Sequence, residues 1–158
     1  MAIRFTVEVR VAAPRERMYA ALTDLESPRD WLPSFVKLEK LTEGPWRPGT
    51  HWREYRRIMG HAAHEVFEVK AAEPPHALDV YVDGKQGTTG KGYYRYLYVL
   101  APLGASTAIT IQGEAGEGGR LAALPAPLLR RMMTRLFARD LAALKAHLEP
   151  RATGAGRP

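Results

Sequence analysis

The 158-residue chain has no cysteine. That absence excludes disulfides, thiolate zinc sites and cysteine nucleophiles, and it suits a cytoplasmic protein. Long apolar runs are also missing, so no transmembrane segment is expected. The N-terminus, "MAIRFTVEVRV", alternates from its start and lacks a continuous apolar stretch, so no signal peptide is expected either. Neither a Gly-x-Ser-x-Gly elbow, nor a P-loop, nor a dinucleotide Gly-x-Gly-x-x-Gly signature occurs. The glycine-rich "GKQGTTGKG" lacks the following helix start that would anchor phosphate, and it reads as a mobile loop between two strands. No cofactor is implied by any of these patterns.

The composition is that of one globular domain, with 46% apolar and 25% charged residues. A formal charge of +6 would admit a polyanionic partner such as nucleic acid, the ribosome or a membrane surface. Basic and acidic residues are mixed along most of the chain, so no specific nucleic-acid site is expected. A basic interaction module remains the third functional reading.

Ile3, Phe5, Val7, Val9 and Val11 alternate with polar residues, which predicts a strand with one buried face. Pro14 then opens a short helix with Met18, Ala21, Leu22 and Leu25 on one side, and Pro28 and Pro33 bracket a turn around Trp31. Six further strands follow, in "FVKLEKL", "THWREYRRIM", "AAHEVFEVKAA", "HALDVYVDG", "YYRYLYVLAP" and "TAITIQGEA", separated by tight turns that point to antiparallel pairing. From about Pro125–Leu128 to Pro150 the period changes. Leu128, Met132, Leu136, Leu144 and Leu148, flanked by Met133, Phe137 and Leu141, predict one long amphipathic helix with Arg131, Arg135 and Arg139 on its solvated face. The expected fold class is α+β: a curved antiparallel sheet wrapped around a single long helix, with ligand space between them. Residues 1–149 form the expected domain and 150–158 a flexible tail.

Four stretches in this order carry a resemblance: "VRVAAPRERMYAALTDLESPRDWLP", "GPWRPGTHWRE", "EVKAAEPPHAL" and "MMTRLFARDLAALKAHLE". From Ile3 to Glu149 the chain resembles the START-like SRPBCC superfamily, in its polyketide cyclase/dehydrase and lipid-transport group. The resemblance implies the helix-grip fold, with about seven strands and two short helices after the first. It also implies a cavity for a small hydrophobic molecule (lipid, quinone or polyketide-like aromatic) in a carrier or sensor. Aromatase/cyclase or dehydratase chemistry is the alternative it leaves open, and a homodimer is equally open.

By analogy with the family, Tyr94, Tyr96 and Tyr98 face inward opposite Ile109 and Ile111, and supply apolar walls with hydroxyls. Trp31, and with it Trp46, is expected at the cavity mouth. Trp52, Phe67, Met133 and Phe137 are expected in its lining. The third strand has two mixed faces, His51, Arg53, Tyr55 and Arg57 against Trp52, Glu54, Arg56 and Ile58, and alternation does not say which points inward. His51, Arg53 and Glu54 are therefore the candidate polar pocket groups. If the protein is an enzyme, His51, Glu54, Glu65 or Asp79 could be the base, and Arg53 or Tyr96 the donor. His61 and His64, three apart on a strand, should point to opposite faces, so no metal site is expected.

Overall fold

The computed structural model describes residues 2–116 and 123–150. Its seven strands are β1 (Ile3–Val11), β2 (Phe35–Lys40), β3 (His51–Ile58), β4 (His61–Glu73), β5 (Ala77–Asp83), β6 (Tyr93–Leu103) and β7 (Ser106–Ala115). Two helices, α1 (Arg15–Thr23) and α2 (Ala126–Leu148), and short 3₁₀ turns at Pro28–Asp30 and Gly84–Gln86 complete the described elements. All strand pairs are antiparallel, in the order β1-β7-β6-β5-β4-β3-β2. Strands β2 to β7 form a meander of hairpins, and β1 pairs with β7 to complete the sheet. This is the helix-grip arrangement. The tail expected after Pro150 lies outside the described residues.

Short-range chemistry fixes the register where it matters. The β3–β4 hairpin turns on Met59 and Gly60, with φ of 50° and 80°. Positive φ at both central residues matches the right-handed twist of the flanking strands. The turn sets Ile58 opposite His61, and hence Trp52 opposite Phe67. On β7, a Cβ at Gly113 would come within 2.1 Å of the Phe5 ring. Glycine there lets Phe5 lie over the sheet and meet Phe137 on α2, with centroids 5.4 Å apart.

Helix α2 buries Leu129, Met133, Phe137, Leu141, Leu144 and Leu148. Leu128, expected on this stripe, is half exposed, because helical geometry places it on the side of the exposed Arg131 and Arg135. The helix is fastened along β1: Arg130 Nε donates to the Arg4 carbonyl, and Lys145 Nζ to the Arg10 carbonyl, each at 3.0 Å. The Glu149 carboxylate accepts from the Ala12 N–H at 3.0 Å. With α2 held to the β1 side, its apolar face does not reach far enough to fill the concave side of β2–β4. Among the described residues no helix is long and apolar enough to cross a membrane.

Candidate ligand cavity

The space left between α1, α2 and the sheet is a cavity of about 680 Å³. Small-molecule sites typically run to roughly 300–1,000 Å³, so this is the size of a site rather than of a packing defect. Its exposed lining residues, Asp24, His61 and Ala62, mark the side that meets solvent.

Aromatic side chains form much of the wall. Trp46 lies 5.3 Å from Trp52, which stacks on Phe67 at 5.3 Å with planes 8° apart. Tyr94 and Tyr96 stack at 6.3 Å, and Tyr96 meets Phe137 at 4.6 Å. Trp31, Trp52, Phe67, Tyr94, Tyr96, Tyr98, Met133 and Phe137 all line the cavity. Tyr98 pairs with Ile111 across β6–β7, so this register brings the inward tyrosine face beside Ile111 and, through Leu100, beside Ile109. Burial pushes the Tyr96 and Tyr98 phenols well above their ordinary range, so both remain protonated and present O–H donors.

The inward face of β3 is the one carrying Trp52, Glu54, Arg56 and Ile58. Burying Trp52 against Phe67 selects that face, and strict alternation then carries Glu54 and Arg56 inward with it. His51 and Arg53 are therefore not cavity groups. His51 Nδ1 lies 2.6 Å from the Gly49 carbonyl and its Nε2 3.6 Å from Glu68, while Arg53 donates to Glu39 at 3.2 Å, all on the outward face. Asp79 is likewise turned away and accepts two hydrogen bonds from Arg95, at 3.0 and 2.5 Å. Glu54 and Glu65 do line the cavity and stand opposite each other in the β3–β4 register.

Two polar clusters interrupt the apolar wall. In the first, Arg56 Nη1 and Nη2 donate to the two oxygens of Asp140 at 2.9 and 2.7 Å, and Nη2 also donates to the Pro33 carbonyl at 2.9 Å. Burial works against the guanidinium charge, but the hydrogen bonds and charge of Asp140 more than offset it and raise the Arg56 pKa. Beside this pair, burial pushes the Glu54 carboxyl up to about 7, against the pull of Arg56. A carboxyl poised near neutrality next to a fixed guanidinium and a neutral phenol can hold or release a proton at a ligand oxygen.

In the second cluster, Glu65 Oε1 accepts from the Thr89 N–H at 2.9 Å and from its hydroxyl at 2.6 Å. The Thr89 hydroxyl also lies 3.3 Å from the Tyr94 hydroxyl. Burial pushes the Glu65 carboxyl up in spite of these donors. The loop expected to be mobile thus contributes Thr88 and Thr89 to the wall and is hydrogen-bonded along β4. Thr88 donates its N–H to the His64 carbonyl at 2.8 Å, and its hydroxyl accepts from the His64 N–H at 2.9 Å.

Sequence reasoning missed Asp140, Thr88 and Thr89 as site residues. A signal for Asp140 existed, because it interrupts the run Met133, Phe137, Leu141, Leu144 on the buried face of α2. An acid at that spacing needs an internal partner. His61 and His64 both border the cavity, and no cluster among the described residues has the make-up of a metal site.

A comparison with curated proteins finds no match. Among solved structures, similar folds include a START superfamily protein from Mycobacterium smegmatis, with TM-score 0.77, 20% identity, and coverage of 92% of this chain and 97% of that one. The Zhui aromatase/cyclase from Streptomyces sp. R1128 gives TM-score 0.76 and 19% identity, covering 100% of both chains. Ginseng major latex-like protein 151 from Panax ginseng gives TM-score 0.76 at 11% identity, covering 94% of this chain and 99% of that one. Identities this low speak for the fold alone. The family described as polyketide cyclase / dehydrase and lipid transport matches residues 2–149. The chain therefore belongs to this START-like, SRPBCC family.

Proposed function

We propose that the protein binds a small hydrophobic molecule, a lipid, quinone or polyketide-like aromatic, between sheet and C-terminal helix as a carrier or sensor. The observation that carries this reading is the cavity of about 680 Å³, walled by stacked aromatic rings and an adaptable methionine pair, Met132 and Met133. All three tryptophans of the chain line it, so intrinsic fluorescence reports directly on occupancy. Gently purified protein examined by native mass spectrometry, followed by a lipid and aromatic-ligand screen read by tryptophan quenching, tests the proposal. Saturable quenching with one ligand per chain is expected. Protein that neither retains nor takes up any apolar compound refutes it.

A second reading is favoured by one observation, the Glu54 carboxyl near neutrality beside Arg56 and Tyr98. In an aromatase/cyclase- or dehydratase-type enzyme, Glu54 would move the proton, and the Tyr98 phenol would stabilise a developing enolate. Turnover of a poly-β-keto thioester that is lost in Glu54→Gln while ligand binding survives would establish this reading over the carrier.

A further inference from the structure

We propose that the cavity takes neutral molecules and turns away organic anions of the same size. This rests on the ligand-binding reading above. Although the chain carries a net charge of +6, the interior of the described cavity lining holds three carboxyl side chains, Glu54, Glu65 and Asp140, against a single guanidinium, Arg56, and no lysine, with Asp24 at the exposed rim. The guanidinium is already committed, since both its terminal nitrogens are bound to Asp140 and one of them also to the Pro33 carbonyl. An incoming carboxylate would find that charge compensated and Glu54 on the same strand face. It would lose its hydration without gaining a counter-ion. The histidines do not supply one in the interior: His61 is exposed at the rim, and the His64 ring lies 5.3 Å from that of the outward-facing Tyr55.

The test compares two head groups on one skeleton, naphthol and naphthoic acid, with decanol and decanoic acid in parallel. Binding to the full chain is measured by calorimetry at about pH 7.5, where the acids are ionised and the alcohols neutral. The neutral member of at least one series is expected to bind more than about tenfold tighter than its acid. Asp140→Asn removes the counter-ion of Arg56 and is expected to shrink or reverse the preference over the acid. If that variant does not fold, Glu54→Gln is expected to narrow the same gap by removing the facing carboxylate. An acid that binds the unmodified protein as tightly as the neutral compound overturns the inference and leaves the ligand-binding reading standing, as does a gap unmoved in whichever of the two variants folds. Failure of all four compounds to bind overturns both.

Discussion

Two arginines three residues apart on β3 form the same kind of ion pair in opposite surroundings. Arg53 points outward and meets Glu39 through one contact of 3.2 Å, with side chains 33% and 39% exposed. Arg56 points inward and grips Asp140 through two, with side chains 14% and 10% exposed. The outward pair exchanges water for a weak, salt-screened attraction. The inward pair has given up most of its water, so each partner depends on the other. Whether a charged residue is ornament or structure here is decided by the face of the strand on which it sits.

Breaking the inward pair should produce the largest effect. Asp140→Ala strands a buried guanidinium and is expected to cost about 3–5 kcal/mol, measured by urea denaturation. Replacing Arg56 and Asp140 together by methionine and leucine should recover most of that loss, because no uncompensated charge remains. A smaller loss in the double variant than in the single one is the diagnostic outcome.

Next comes the dependence on pH. Glu54 titrates at about 7 in the folded protein but in the ordinary carboxylate range when unfolded, so between those values the folded state holds a proton that the unfolded chain has released. Its contribution is therefore complete below the unfolded value, declines as pH rises, and is gone above about 7. The size is on the order of 3 kcal/mol between pH 5 and 8. Arg56 on the same strand, Asp140 from α2, Tyr98 from β6 and Glu65 opposite on β4 all surround this carboxyl. For that reason the measurement is a difference: stability–pH curves for the unmodified chain and for Glu54→Gln should converge below the ordinary carboxylate range, draw apart as pH rises towards about 7, and run parallel above it, with the glutamine variant the more stable.

Thr89→Val removes one of the two donors to Glu65 and is expected to cost about 1–2 kcal/mol and to speed amide exchange in residues 84–92. Glu39→Gln, on the outward face, should leave the melting midpoint unchanged. A large shift there would dissolve the contrast between the two faces.

Much of the scaffold was legible in the residues. Alternation in Ile3–Val11 and Tyr93–Leu103, and the change of period after Pro125, reflect local backbone geometry, and the strands and long helix follow them. The inward tyrosines and the Trp52–Phe67 wall were legible as well, since large rings seek burial. The polar chemistry of the cavity was less so. His51 and Arg53 looked as plausible as Glu54 because both faces of β3 mix charge with aromatic rings. Alternation within β3 does not by itself choose between the face of Trp52 and the face of Tyr55.

The sequence by itself determined the elements, their order and, outside β3, an apolar face on the longer ones, because these depend on periodicities of two and 3.6 residues. Only the tertiary structure decided that Arg56 would meet Asp140, 84 residues away, and that Glu54 would lose its water beside them. Such proximity arises from long-range pairing, and the free energy of a charge depends on what surrounds it rather than on its neighbours in the chain.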